Sequence, residues 1–418
     1  MNQTTASPAP INERADILDV LRGFALLGIC LANAGYFSLY IFQKPETKNA
    51  FFSAPVDRWL SYFHMAFIDG KFYSLFSLLF GIGFSIIFLR NKLTGKNGLA
   101  IFYRRLFILL IFGLCHSLLL WDGDILLFYA LAGILLPLFR NSSDRTLIKT
   151  AIILLLSPLL FDVLKIVSNG RWNISNPFLQ QALAIDKKNG ITEENVSNWL
   201  IVHDSYTDLL RWCQSGVWWS WQLRLDSNRA PKVLAMFLLG LYVGKNYMYA
   251  ELEKYRPLLK KVQRIGLGLG IAAGIAHAYF EFDKQSLPKI MGIWDTITYA
   301  LNVVPLSLGY AATIALFWLD GKFKNSLRLL VPVGRMALTN YIMQTVLGII
   351  IYFGIGLGLG GKVGPLVYMF IAIGIFILQV LYSHWWMRRF NYGPLEWIWR
   401  MLTYGKKLKL IKNKSRNT

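Results

Sequence analysis

The sequence predicts an all-α, polytopic integral membrane protein: a helix bundle of about ten transmembrane helices, with both ends on the cytoplasmic side. Three observations predict it. The 418 residues are 55% hydrophobic and 15% aromatic but only 16% charged, with a mean hydropathy of +0.42, whereas soluble domains carry about 25% charged residues. Apolar runs of spanning length, about 17–25 residues with their flanks, recur along the chain. The basic residues sit in short patches between those runs. A net charge of +21 by itself would suit nucleic acid, but this placement suits membrane topology, so membrane lipid and not nucleic acid is the expected surrounding.

Taken in order, residues 1–15 are polar, carry Pro8 and Pro10, and read as a short disordered cytoplasmic tail. Apolar runs follow, centred on 20–41, 72–89, 105–121, 125–140, 148–167, 232–249, 265–280, 293–319, 336–359 and 364–386. Together they make a polytopic membrane domain over 16–404, with 405–418 as a basic cytoplasmic tail. With the N-terminus inside, the inner segments hold 28 basic residues and the short outer segments six. That asymmetry is the positive-inside pattern. Ala32-Asn33-Ala34 resembles a signal-peptide cleavage site, but the apolar run continues through Phe42 and acids precede it at Glu13, Asp16 and Asp19, so a retained span is expected. The expected location is a cytoplasmic membrane, crossed several times. Nothing in the sequence signals a particular oligomer.

The long outer loop 168–230 holds six of the fourteen tryptophans: Trp172, Trp199, Trp212, Trp218, Trp219 and Trp221. Residues 192–212 alternate apolar and polar groups at helical spacing and read as an interfacial helix with an aromatic belt, or as a lid stacking an amphiphilic or sugar-like acceptor. Glycine is dense in LLFGIGF (78–84), GLGLGIAAG (266–274) and FGIGLGLGG (353–361). These runs follow no strand and read as close helix packing, not nucleotide loops. Cys30, Cys115 and Cys213 have no motif spacing, so neither disulfides nor a metal site is implied.

Candidate chemistry starts at Asp16–Gly35, DILDVLRGFALLGICLANAG. Polar groups at membrane depth are costly unless paired or facing a wet cavity, so they mark a site. At about 100° per residue, Asp19, Arg22 and Asn33 fall within roughly 60° on a helix, with Leu26, Ile29 and Cys30 between them. An inner group forms from Asp19 and Arg22 with Arg335, Thr339 and Asn340 of VGRMALTNYIMQ, and with Glu396 and Arg400 of GPLEWIWR. Glu396 and Arg400 are spaced as an i,i+4 pair. Read blandly, the arginines anchor span ends and Asp19 caps a helix. Read as a site, arginines around a cytoplasmic cavity suit the phosphates of a nucleotide-like donor.

The outer group is Asn33; His64, Asp69 and Lys71; and His116, Asp122 and Asp124 in GLCHSLLLWDGDILLFYA. Asp122-Gly123-Asp124 reads as a tight turn, with Asp124 placed to cap the next helix. His116 lies five residues inside Trp121, roughly 8 Å below the interface at 1.5 Å per residue. It reads either as a hydrogen-bonded core residue or as a general base oriented by a neighbouring carboxylate. No HExxH, CxxC, nucleophile-elbow or Walker pattern is present, so neither metal catalysis nor nucleotide hydrolysis is expected.

LDVLRGFALLGICLANA, KFYSLFSLLFGIGF, the WDGDILLFYAL stretch, GRMALTNYIMQT and GPLEWIWR, in that order over about 16–404, together resemble the YeiB-type membrane proteins, a bacterial domain-of-unknown-function family. The LDxLRG opening is similar to that of the transmembrane acyltransferase superfamily, which includes membrane sugar O-acyltransferases and the lysosomal heparan-glucosaminide N-acetyltransferase. Those enzymes move an acyl group from cytoplasmic acyl-CoA to an acceptor on the far side. The resemblance implies that Asp19, Arg22 and Gly23 belong to the shared opening and that Asn33 stands where the acetyltransferase has a functional asparagine. That enzyme has a histidine shortly afterwards; residues 34–63 here hold none, leaving His64 or His116 for the role.

Two functions from different classes follow. As an acyltransferase, the chain would bind acyl-CoA at its inner arginines. His116, oriented by Asp122 or Asp124, would deprotonate a glycan or lipid head-group acceptor, and Asn33 would face the oxyanion. As a transporter or channel, it would pass a small anion or metabolite along the same polar stripe, although no internal repeat is visible between its halves. A non-catalytic envelope protein is the remaining reading.

Overall fold

The computed structural model describes residues 16–93, 98–282 and 291–412. The expected tail over 1–15 and the last six residues lie outside the described residues. Apart from one isolated antiparallel bridge, Phe390 to Ile411, the described regular structure is helical.

Helix α1 spans Asp16–Phe37 and passes through a 3₁₀ turn at Tyr40–Phe42 to a short α2, Pro45–Asn49. Then come α3 (Ala54–Phe67), α4 (Lys71–Leu93), α5 (Gly98–Leu119) and α6 (Leu126–Gly133), the last continued by a 3₁₀ turn at Leu136–Phe139. They are followed by α7 (Asp144–Val167), α8 (Asn176–Asn189), α9 (Trp199–Val202), α10 (Tyr206–Asp226), α11 (Arg229–Lys245) and α12 (Arg256–Phe282). The chain finishes with α13 (Met291–Leu319), α14 (Lys324–Arg335), α15 (Ala337–Tyr352), α16 (Pro365–Arg389) and α17 (Pro394–Tyr404). Helices occupy all ten expected runs. Among the described residues six segments are long and apolar enough to cross a membrane: α1; the stretch Ala54–Arg90, which takes in α4; α5; α7; α13; and α16.

The end of the bundle where α1 starts is the near end, and the end where it finishes is the far end. α1 is the most enclosed of the six, with two thirds of its apolar window buried, and it packs against α4, α14, α15 and α16. Asp19, Leu26, Ile29 and Cys30 are buried, so the polar stripe on α1 faces inward. α7 has the opposite character: Ile152, Ile153, Leu156 and Leu160 stand exposed along it, as a helix facing lipid requires.

α4 and α11 meet through glycine. A Cβ on Gly240 would lie 2.1 Å from the Leu78 carbonyl oxygen and 2.9 Å from the Gly81 Cα. Small residues at such crossings let backbones touch and gain dispersion contacts that no larger residue allows. Gly240→Leu is therefore expected to destabilise the bundle by about 3 kcal/mol or more through overpacking. Gly83→Ala, whose Cβ meets nothing within 4 Å, should leave melting in detergent unchanged or raised. Gly266, Gly270 and Gly274 play the packing role expected of them, set against Pro305, Leu306 and Asn302 of α13.

Two local expectations change. The run 353–361 is not helix: α15 stops at Tyr352, and the chain folds back, with the Leu357 N–H donating to Ile350 and the Gly360 N–H to Tyr352, both at 2.7 Å. Five glycines in nine residues cost a helix about 1 kcal/mol each relative to alanine, so the returning turn wins. The segment 192–212 is not one interfacial helix either. It breaks between α9 and α10, and Trp199 and Trp212 are buried in the core, while Trp172 and Trp218 of the long loop are exposed.

Candidate functional site

At the far end four helices converge on the α5–α6 turn. His116, in the last turn of α5, is 1% exposed and has a partner on each ring nitrogen. Nδ1 lies 2.9 Å from Asp124 Oδ1, and Nε2 lies 2.9 Å from the Thr345 Oγ1 of α15. With Asp124 ionised, Nδ1 carries the proton and Nε2 accepts the threonine hydroxyl, because an imidazole donates towards a carboxylate. The result is a buried carboxylate–imidazole–hydroxyl relay.

Asp124 has two roles. Its second oxygen accepts the Leu127 N–H at 2.6 Å, which is the helix-capping part read from the sequence, while its first orients the histidine. Its carbonyl accepts from Arg224 of α10, and the next N–H, of Ile125, donates to the Tyr341 hydroxyl at 3.2 Å. Tyr341 sits one helical turn before Thr345 and packs on the His116 ring, 5.2 Å between centroids. Thus α10, out of the tryptophan-rich segment, closes over the cluster.

The structure separates other expected members. Asp122 makes no contact with His116: the Tyr36 hydroxyl at the end of α1 donates to its two oxygens at 2.9 and 2.7 Å, and Ser220 of α10 approaches at 3.5 Å. A tight turn sends adjacent side chains to different neighbours, and Asp122 faces α1. Asn33 lines a narrow cavity with Cys30, Gln344, Gly348 and Tyr352, which Thr345 does not line. His64, Asp69 and Lys71 belong to another far-end group, around Arg229.

At the near end, α14 lies on the first turn of α1, where a Cβ on Gly334 would stand 1.8 Å from the Asp19 carbonyl oxygen. That approach lets Arg335 bridge Asp16 at 2.9 Å and Asp19 at 3.3 Å, while Arg22 pairs with Asp19 at 2.6 Å. Two arginines and two aspartates thus neutralise one another. The Glu396–Arg400 spacing does not produce an ion pair. Glu396 is buried and accepts the Leu338 and Thr339 N–H groups at 2.6 and 3.0 Å and the Thr339 hydroxyl at 2.7 Å, capping α15 from α17. Arg400 lies over the Tyr392 ring instead, at 5.2 Å.

Two further arginines of this end, Arg400 and Arg105, the second not singled out by the sequence reading, meet aromatic rings instead of carboxylates. Arg105 stacks 3.7 Å over Trp399 and lies within electrostatic reach of Arg400 and Arg22. Neither Arg105 nor Arg400 makes an ion pair among the described residues. Between the two ends, α15 carries a ladder of polar side chains. Asn340 donates to Ser383 at 2.9 Å, Gln379 of α16 donates to the Asn340 carbonyl at 2.7 Å, and Gln344 donates to Gln379 at 3.0 Å. Thr345 stands next, near the middle of α15. The amide oxygens of Asn340 and Gln344 are buried and accept no hydrogen bond.

The sequence reading missed Thr345, Tyr341, Arg224, Gln344 and Gln379. The one signal for them was a repeated polar face on α15, Thr339–Asn340 and then Gln344–Thr345, inside an apolar run. Among the described residues no group of three or more His, Cys, Asp or Glu side chains is arranged to hold a metal ion.

Comparison with known proteins adds family but no chemistry. A family profile described as a protein of unknown function (DUF418) matches residues 243–406. The uncharacterized protein YxaH of Bacillus subtilis is 33% identical over 413 residues, spanning 96% of this chain and 97% of its own length. The uncharacterized protein YeiB of Escherichia coli is 29% identical, spanning 94% and 96%. No solved structure matches.

Proposed function

The chain belongs to the YeiB-type family of unknown function, DUF418, and on that premise we propose that it is a membrane acyltransferase carrying an acyl group from cytoplasmic acyl-CoA to an extracytoplasmic glycan or lipid head group. The observation that carries the reading is the Asp124–His116–Thr345 relay. A hydroxyl hydrogen-bonded to an imidazole that is itself held by a carboxylate is the arrangement that makes a weak nucleophile reactive. Nothing in a merely packed helix interface requires it.

In this reading the bundle crosses a bacterial cytoplasmic membrane ten times with both ends inside, as the excess of basic residues in the inner segments favours, and the near end is cytoplasmic. Arg105 and Arg400, free of carboxylates and flanked by Trp399 and Tyr392, suit the donor's phosphates and its aromatic base. Arg22 lies close by, held by Asp19, which Arg335 also binds. The acyl chain extends along the α15 ladder. Thr345 lies eight residues from the start of α15, or about 12 Å along its axis, a depth that groups entering from either end can approach.

His116 accepts the Thr345 proton as Oγ1 attacks the thioester carbonyl. The C–S bond breaks, the thiol of CoA leaves with that proton, and the acyl group remains as an ester on Thr345. An acceptor hydroxyl entering from the far end then gives its proton to His116 and takes the acyl group, restoring the threonine. Asn33 and Gln344 line the narrow cavity beside this path, where Asn33 supplies an amide donor.

The experiment is incubation of the purified protein with acetyl-CoA labelled in the acyl group. Label should appear on the protein without acceptor and move to lipid or glycan extract when one is added. Absence of both, from protein that remains folded, refutes the proposal. The unpaired Asn340 and Gln344 oxygens favour a second reading, a passage for a small polar solute. For that reading liposomes should take up solute in a manner sensitive to Gln344→Leu, with no acyl label transferred.

A further inference from the structure

The relay uses only part of the far end. Around the α3–α4 turn lies a second polar group, built from α4, α11, α12 and α13. Lys71 is fully buried and donates to the Met65 carbonyl at 2.7 Å. Lys232 is buried, donates to the Ser227 carbonyl at 2.9 Å, and stands 4.0 Å over the Tyr299 ring. Arg229 lies 5.0 Å over the Tyr73 ring, and its buried Nε has no acceptor. The two tyrosine hydroxyls meet at 3.1 Å, tying Arg229 to Lys232, and Lys71 joins them through the field of Asp69.

The carboxylates nearby are mostly committed. Asp295 is held by His277 at 2.9 Å. Asp162 is held by Lys165, Asn228 and Thr296, at 3.2, 3.1 and 2.5 Å. Asp162 and Asp295 still act on Lys232 from those positions, whereas Asp69 is within electrostatic reach of Lys71, His64, Arg229, Lys232 and His277 and forms no ion pair with any of them among the described residues. Three enclosed cations therefore share one uncommitted carboxylate. Charge out of water is unfavourable unless paired, so the cluster has a surplus of positive charge that an anion would relieve. His64, Asp69 and Arg229 each keep part of their surface exposed, which leaves the cluster approachable from outside the core.

We propose that Lys71, Arg229 and Lys232, with the hydroxyls of Tyr73 and Tyr299, form a binding site for a phosphate-class oxyanion, either free or carried on a lipid head group. Carboxylate offers two oxygens to this many donors; a phosphate offers three or four, and its tetrahedral oxygens suit a guanidinium fork beside two ammonium groups. The site shares no residue with the relay, so failure of the acyl-transfer reading leaves it standing, and its own failure leaves the relay untouched.

The test measures thermal unfolding of the whole protein in a phosphate-free detergent by intrinsic tryptophan fluorescence. One arm titrates inorganic phosphate against chloride at matched ionic strength; the other titrates phosphatidylglycerol into the micelle. Saturable stabilisation in the first arm assigns the site to free phosphate, and stabilisation only in the second assigns it to a lipid head group. Arg229→Gln should raise the half-saturating concentration about tenfold or more, the loss of one charged hydrogen-bonding group, and Arg229→Lys should fall between. Lys71→Met should lose the response without a drop in the ligand-free melting temperature, because an apolar chain of similar volume replaces an unpaired buried charge. Stabilisation in neither arm, or variants that respond as the wild type does, overturns the proposal.

Discussion

Replacing His116 with glutamine is expected to lower acyl transfer about 10³-fold while leaving the protein folded. Glutamine's amide still donates a hydrogen bond towards Asp124, which lies 2.9 Å from the His116 Nδ1, but it cannot take a proton from Thr345 and release it to the leaving thiol. His116→Ala is the poorer test, because it strands Asp124 and Thr345 in a dry interior at a cost of about 3–5 kcal/mol. Asp124→Asn probes the orientation separately. Its amide oxygen can keep the cap on the Leu127 N–H, but its NH₂ group then faces Nδ1, which moves the imidazole proton to Nε2. Nε2 then no longer accepts from Thr345, and a loss of about 10²–10⁴ follows. Thr345→Val should abolish the acyl-protein, and Thr345→Ser should restore it. The measurements are the turnover rate with labelled acetyl-CoA and the label retained on protein without acceptor. Equal rates in His116→Gln and wild type would remove the relay from the mechanism.

That prediction rests on residues of uneven legibility. His116 and Asp124 lie eight residues apart across one turn, so their meeting follows from local geometry: a helix end, two turn residues and a cap. Thr345 lies 229 residues from His116, and no local pattern joins them. It is found only when the fold brings α15 to the last turn of α5, a tertiary event that spacing does not encode. Asp122 shows the converse. Its closeness in sequence to His116 suggested a shared task, but a tight turn points adjacent side chains apart, and Tyr36 of α1 takes it.

The helices themselves were legible because membrane-class hydrophobicity and the length of a span are local properties. Their ends were less so. The glycine run after Tyr352 continues an apolar pattern, so hydropathy extends the helix to 359, whereas backbone preference ends it seven residues earlier. Among the arginines, charge alone does not separate anchors from ligands. Arg22 finds Asp19 within α1, and α14 brings Arg335 to Asp16 and Asp19 to complete a neutral cluster, while Arg105 faces Trp399 and other arginines. The distinction lies in who faces each guanidinium.

Glu396→Ala is expected to be among the most damaging single changes outside the relay, destabilising the protein by about 3–5 kcal/mol. Two buried N–H groups in the first turn of α15 and the Thr339 hydroxyl all end on this one carboxylate. Each buried donor left unmatched costs about 1–3 kcal/mol, and the start of α15 has no other cap. The effect has a pH signature. Burial pushes the Glu396 carboxyl above its ordinary value of 4.5, against the hydrogen bonds from Thr339 and Leu338 that favour its charged form. When the folded-state value is the higher one, the folded protein binds more protons than the unfolded chain between the two values. Stability is then full below the ordinary glutamate range and declines as pH rises through the raised folded value. Melting of the wild type should therefore fall as pH increases from about 4.5, and Glu396→Gln should flatten that slope, since its amide oxygen still accepts from α15 but nothing titrates. An alanine variant that melts with the wild type would show that α17 does not cap α15, and the near-end geometry that frees Arg105 and Arg400 for a donor would lose its support.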